Sequence, residues 1–229
     1  MKRIVFLVEG EGDFTAVPSL ASRWLSDNPE GYAHIYLDTN PLQIGGLEKV
    51  SGRPHLRAEW LRFLKLAYRT RPNVGAIFAI LDGDADRFES KPFCAVEAAT
   101  TLAERAKEAG AGVMFSFGIV LLCKEYESIL IASAAQLPGV AANIVIPASP
   151  ESIRGAKEWL GRNLTGGYSS VSHQNELTKA VKDWAPVRES NRSFRRFENA
   201  LHQLVSSVSR DTHIVTPAMP PPVSDATAE

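Results

Sequence analysis

Two short stretches concentrate the acidic chemistry of this sequence: Val8-Glu9-Gly10-Glu11-Gly12-Asp13 and Leu81-Asp82-Gly83-Asp84-Ala85-Asp86. Each follows an apolar run, Arg3–Val8 and Gly75–Leu81, that reads as a strand buried on both faces. In open parallel sheets, sites form outside the carboxyl ends of the strands. Two adjacent strands that both end in carboxylates bring those groups together. Carboxylates held close repel, and one takes up a proton unless a cation sits between them. Glu9, Asp13, Asp82 and Asp84 are therefore the candidate ligands of a divalent metal. Mg2+ (or Mn2+) suits such hard oxygen donors, since it keeps several waters while one or two carboxylates anchor it. Asp82 and Asp84 share a direction if strand geometry persists one step further. The plainer alternative is that glycine and aspartate are common turn residues, so that these loops are only turns. Glu11 and Asp86 fit a solvated turn as well as a ligand role.

The other polar clusters are less pointed. Lys124-Glu125-Tyr126-Glu127 follows an apolar run, and Glu127 opens a helix, where the helix dipole favours a carboxylate with or without a function. Arg192, Arg195 and Arg196 form the one dense basic cluster, readable as a phosphate contact or as a solvated helix face with Phe194 and Phe197 inward. The five histidines show no ligand spacing, and Gly10–Gly12 lacks the GK[ST] ending of a P-loop. Cys94 and Cys123 have no metal-type spacing and fit a reducing compartment.

The elements that must position these residues alternate. After the first strand, Phe14–Leu25 has helical spacing, with Asp13 or Thr15 as cap and Pro18 expected in the first turn. His34–Asp38 reads as a second strand, Asn40–Arg53 as a loop, and Pro54–Tyr68 as an amphipathic helix. Ala95–Ala109 is a helix closed by Gly110. Val113–Phe117 and Ile119–Leu122 are strand candidates, and Glu125–Ala135 is helical. This alternation predicts an α/β fold with a mostly parallel sheet and helices on both faces. Helices at Ser152–Leu160, Asn175–Trp184 and Phe194–Val208 follow. The expected organisation is a core at 1–135, a helical extension packed on it at 136–213, and a disordered, proline-rich tail at 214–229.

Composition narrows the function. The chain has 229 residues, 45% hydrophobic, with 25 Lys plus Arg against 26 Asp plus Glu. The formal charge of −1 lacks the basic excess of a protein that grips nucleic acid through charge alone. Any nucleic-acid contact then needs a local basic patch or a metal. The apolar run Ile4–Val8 is too short for a signal peptide, and no stretch reaches the roughly 20 apolar residues of a membrane span. A cytoplasmic protein without membrane attachment is expected.

The pairing of VEGEGD with LDGDAD resembles the TOPRIM domain of topoisomerases, primases and OLD-type nucleases. In that fold a glutamate after the first strand and an Asp-x-Asp after a later one bind Mg2+. The resemblance puts Glu9 on the glutamate, Asp82 and Asp84 on the Asp-x-Asp, and Asp13 on a second acidic position of the OLD-like branch. More of the chain, across residues 3–205, is similar to a TOPRIM-like bacterial family known only as a domain of unknown function. Its helix motif falls on KEYESILIAS with Glu127 on its glutamate, although Ser128-Ile129 and Ser133 replace its Ala-Trp and Asp. Pro150-Glu151, Lys157 and Ser193-Phe194 match later landmarks. The resemblance implies a Mg2+-dependent phosphodiester-processing protein, a nuclease of bacterial defence or DNA repair. Glu9, Asp82, Asp84, Glu127 and Lys124 would then be catalytic, with Lys124 or Lys157 stabilising developing charge. It also implies nucleic acid, and a partner ATPase, as partners. The alternatives are a non-catalytic module of the same fold that binds such a partner, and a small-molecule phosphotransferase or phosphatase using the same carboxylates.

Overall fold

The computed structural model describes residues 1–29, 34–50 and 54–218. In chain order the elements are β1 (Lys2–Val8), α1 (Glu11–Asp27), β2 (Ile35–Leu37), β3 (Leu42–Gln43), α2 (Pro54–Arg69) and β4 (Val74–Gly83). A small hairpin of β5 (Arg87–Phe88) and β6 (Lys91–Pro92) leads to α3 (Ala95–Ala106) and β7 (Ser116–Cys123). Then come α4 (Glu127–Ala132), α5 (Ala156–Asn163), α6 (Ser170–Ala180), α7 (Ala185–Ser190), α8 (Arg192–Ser209) and β8 (Val215–Thr216).

The sheet order is β2-β1-β4-β7-β8, with β3 also beside β1, and its pairings are all parallel. As the two apolar runs predict, β1 and β4 are parallel neighbours in the interior, aligned from Val5 opposite Ile77 to Val8 opposite Ile80. Alternate side chains divide the strands between two cores. Phe6, Phe78 and Val120 face one core, closed by α1, α4 and α8; Leu7, Ile77 and Leu121 face the other, closed by α2 and α3. Both faces are covered, which is why these strands carry no polar alternation. Trp60 of α2 is fully buried in the second core and donates its indole N–H to the Leu102 carbonyl at 3.1 Å. Phe78 stacks on Phe197 of α8 in the first, with ring centroids 5.5 Å apart.

Several boundaries differ from the sequence reading. Helix α1 begins at Glu11 rather than Phe14, because the Asp13 carboxylate reaches back to the Gly10 N–H at 3.0 Å and secures a turn that has no apolar periodicity. Pro18 therefore lies inside the helix, not in its first turn. The two strand candidates around Gly118 are one strand, β7, and Val113 sits outside it, 79% exposed. Gly118 is a packing requirement rather than a break: a Cβ there would come within 2.9 Å of Leu204 on α8. The expected loop 40–53 contains β3 and a short 3-10 turn at Leu47–Lys49, with 51–53 outside the described residues. Helix α6 starts at Ser170 and ends at Ala180, and Trp184 is the cap of α7. The tail expected from 214 is ordered at its start. Ile214 packs against the first core, and Val215 and Thr216 pair with Phe117 and Gly118. Residues 219–229 lie outside the described residues.

Candidate functional site

From β1 the chain crosses to β2 on one side, then returns to β4 on the other. This is a topological switch point, and in open α/β sheets ligands bind at such a point, outside the carboxyl ends of the strands, here those of β1 and β4. Glu9 and Asp82 stand there. The two strand ends are tied directly, since the Asp82 N–H donates to Glu9 Oε2 at 3.0 Å. Asp82 Oδ1 in turn accepts the Tyr126 N–H at 3.1 Å, which joins the β4 end to the turn after β7.

Two further carboxylates close in behind them. Asp13, 9% exposed, accepts Gln174 Nε2 of α6 on Oδ1 at 2.6 Å as well as the Gly10 amide on Oδ2. Glu127, 1% exposed at the start of α4, accepts the Tyr168 hydroxyl at 2.9 Å. Their electrostatics are those of a crowded, partly dehydrated cluster. Burial pushes Glu9 up to about 7, with Asp84, Asp13 and Glu48 adding to the rise against the Asp82 amide. Burial, then repulsion from Asp13, Glu9 and Glu127, raises Asp82 well above the usual carboxylate range. Burial also raises Asp13 and Glu127, although hydrogen bonds and a nearby lysine oppose it in both.

That lysine is Lys157 of α5. Burial would lower its pKa, yet Glu127, Glu125 and Asp82 outweigh burial and hold the ammonium above its ordinary value. It pairs with Glu125 at 3.1 Å, and Glu125 also accepts the Ala156 N–H at the start of α5. Lys124 is placed otherwise. Its ammonium donates to the Ser152 carbonyl at 2.6 Å. Its backbone is left-handed, with φ 68°, and this turn delivers the Tyr126 amide to Asp82 and Glu127 to the cluster. The Lys124 carbonyl accepts the Gly83 N–H at 3.1 Å, so the β4 and β7 ends turn together.

Of the residues predicted from sequence, Glu9, Asp13, Asp82 and Glu127 come together in one field. Asp84 is exposed just beyond β4 and acts on Glu9 from outside the buried set. Among the described residues, no three acidic, histidine or cysteine side chains stand in a metal-holding arrangement. The donors fit a hard cation chemically. Glu9 and Asp82 are linked through the Asp82 amide, which joins the ends of β1 and β4. Each of these two has one carboxylate oxygen engaged by an amide and the other without a hydrogen-bonding partner among the described residues. Gln174 and Tyr168 were not legible as site residues. The only trace of Tyr168 is the preceding Gly166-Gly167, both at positive φ, which turn the chain back towards α4.

The basic cluster lies at the start of α8. Arg192 is 3.6 Å from Glu151, Arg195 donates to the Arg188 and Glu189 carbonyls, and Arg196 lines a cavity beside β7. Among the described residues, no helix is long and apolar enough to cross a membrane.

No curated protein matches this sequence. A solved structure, the C-terminal region of the Burkholderia pseudomallei OLD protein, is similar at 12% identity and a TM-score of 0.44, over 90% of this chain and 99% of that one. A family model matches residues 8–202, from the end of β1 through most of α8, and the chain belongs to that family, the Domain of unknown function (DUF4276).

Proposed function

We propose that the protein is a Mg2+-dependent phosphodiester-processing enzyme, a nuclease, with Glu9 and Asp82 as the anchoring pair for the ion. The observation that carries this reading is the set of four carboxylates at the switch point, with raised proton affinity and the side chain of Lys157 as the cation beside them. A site that stores carboxylate repulsion gains by taking up a divalent cation. Mg2+ needs only one or two carboxylates when water and substrate phosphate fill its other positions. Asp13 and Asp84 would complete the outer part of such a site. When bound, the ion would supply Lewis-acid stabilisation of charge on a phosphate oxygen. The chain's own contribution is positional: Glu9 is held by the amide at the end of β4, Asp82 by the Tyr126 amide after β7, Glu127 is oriented by Tyr168, and Lys157 supplies positive charge beside them. Nucleic acid as substrate, and a partner ATPase, belong to this reading. Work in bacterial defence or DNA repair follows from the resemblance to OLD-type nucleases.

The absence of three converging ligands among the described residues favours a second reading, a binding module of the same fold without catalysis. One experiment addresses both. The wild type should melt about 5–11 °C higher in Mn2+ at a hundredfold excess over Kd than in EDTA, since native-state binding then adds about 2.7 kcal/mol. It should nick supercoiled DNA only with the ion present. Asp82→Asn should lose both effects and melt higher than the wild type in EDTA. A melting shift without nicking supports the binding module, and no shift in either protein overturns the metal site.

A further inference from the structure

The carboxyl end of β7 lies beside that of β4, with Cys123 opposite Gly83. Two further segments converge on it. The Cys123 N–H donates to Ser193 Oγ at 2.8 Å, which fixes the start of α8. The Cys123 thiol is 3.5 Å from the Glu151 carbonyl, and the Glu151 carboxylate accepts the Ser193 N–H at 2.6 Å. The Glu151-Ser152 turn also gathers two cations. Lys124 donates its ammonium to the Ser152 carbonyl at 2.6 Å, and the Arg192 guanidinium is 3.6 Å from the Glu151 carboxylate.

Arg196 follows Arg192 by four residues on α8, so the two share a face of that helix. Both are exposed, and Lys124 is half-buried. The three act on one point: burial and then Glu151 raise the Cys123 thiol, while Lys124, Arg192 and Arg196 oppose them. Arg195 does not join this patch, being tied to the Arg188 and Glu189 carbonyls. The end of α8 is itself occupied, since Asn191 and Glu151 accept the Phe194 and Ser193 amides. The positive charge here therefore belongs to three side chains, and the one carboxylate among them is buried and engaged.

We infer that Lys124, Arg192 and Arg196 bind phosphates of a nucleic-acid backbone and so set the path of the substrate past Glu9 and Asp82. The inference rests on the nuclease reading above and adds to it the surface that holds the substrate. Neighbouring strands lie about 4.8 Å apart, and a nucleic-acid strand rises about 3.4 Å per nucleotide. A backbone held at the end of β7 thus reaches the end of β4 within a few nucleotides. Guanidinium groups match the geometry of phosphate oxygens. Contacts of this kind position a substrate without reading its bases, so little sequence preference is expected.

The test is fluorescence anisotropy in EDTA with a short labelled DNA duplex and an RNA duplex of the same sequence. Three phosphate contacts on DNA should give a slope of log K on log salt of about −2.7. Arg192→Ala and Arg196→Ala should each make that slope shallower by about one and weaken all sequences alike. Lys65→Ala, exposed on α2 at the opposite face of the sheet, should change neither. Arg196 forms no ion pair with a described residue, so its variant keeps the test decisive if Arg192→Ala disturbs Glu151. Either duplex bound in this way sustains the inference, and the tighter one names the source of the backbone. No binding by the wild type, an unchanged slope in both arginine variants, or displacement of the duplex by polyglutamate at matched charge overturns it. The metal reading fails separately. If Mn2+ raises no melting temperature while both arginine variants lose slope, the phosphate path stands and the ion does not; Mn2+-dependent nicking with binding unaltered in both variants removes the path alone.

Discussion

Glu9 and Asp82 combine two opposed influences: each is aligned by an amide, yet burial and neighbouring acids keep both reluctant to ionise. The consequence for stability has a definite sign. A carboxyl group whose folded-state pKa lies above its unfolded value favours folding when protonated, and that contribution is lost as pH rises through the folded pKa. For Glu9 the window runs from 4.5 to about 7. In EDTA the protein should therefore melt higher at pH 5.5 than at pH 8, and Glu9→Gln should flatten that difference. A melting temperature that climbs steadily from pH 5.5 to 8 would contradict it. Lys157 offers the converse test. As the cation facing Glu127, Glu125 and Asp82, it offsets part of their repulsion. Lys157→Gln should lower the melting temperature at pH 8 and do so less at pH 5.5, where fewer carboxylates are charged. The identities of Glu9, Asp13, Asp82 and Glu127 were readable because each follows an apolar run or opens a helix. Their partners Gln174 and Tyr168 were not. Nothing local marks a glutamine or a tyrosine as facing a carboxylate that is 161 or 41 residues away in sequence.

At the scale of elements, the turn between β7 and α4 does the positioning. Lys124 adopts a left-handed backbone that costs a residue with a side chain about 1–2 kcal/mol and costs glycine nothing. The ammonium, tied to Ser152, is not what brings Glu127 and the Tyr126 amide into place; the backbone is. Lys124→Gly should thus be at least as stable as the wild type in chemical denaturation. Lys124→Val should be weaker than the glycine variant by about 1–2 kcal/mol, since a β-branched side chain resists this conformation. Equal midpoints for the two variants would mean that the turn relaxes without cost. The long elements were legible because burial on both faces and helical periodicity leave a strong pattern, as in β1, β4 and α2. What was missed is short or set by distant contacts. β8 is two residues with no pattern of its own, and it exists because β7 offers an edge. Gly118 looks like a strand break until α8 is laid across it.

At the scale of the molecule, α8, although it follows residue 136, is part of the sheet's own covering. Phe197, Leu201 and Leu204 of α8 are buried against the strands, and Phe78 of β4 stacks on Phe197. Without α8, the even-numbered faces of β4 and β7, including Phe78 and Val120, would meet water. A Phe→Ala change in a core costs about 3–5 kcal/mol, because the lost transfer energy is joined by a cavity that neighbours fill only in part. For a chain of this size each kcal/mol shifts the melting temperature by about 2–4 °C. Phe197→Ala should therefore lower it by roughly 6–20 °C in a cooperative transition, and residues 1–135 made alone should not give one. The same geometry couples the cover to the candidate site. The Asn191 side chain accepts the Phe194 N–H at the start of α8 and donates to Ser128 in α4, next to Glu127. Ser193 holds the β7 end through Cys123, and its own N–H donates to Glu151 at 2.6 Å. Loosening α8 should thus loosen the acidic cluster before global unfolding. Native-state hydrogen exchange should show the Tyr126 amide, bonded to Asp82, losing protection in Phe197→Ala by a larger factor than amides at the β2 edge. Equal loss at both would mean that α8 stabilises the molecule without any particular hold on the switch-point carboxylates.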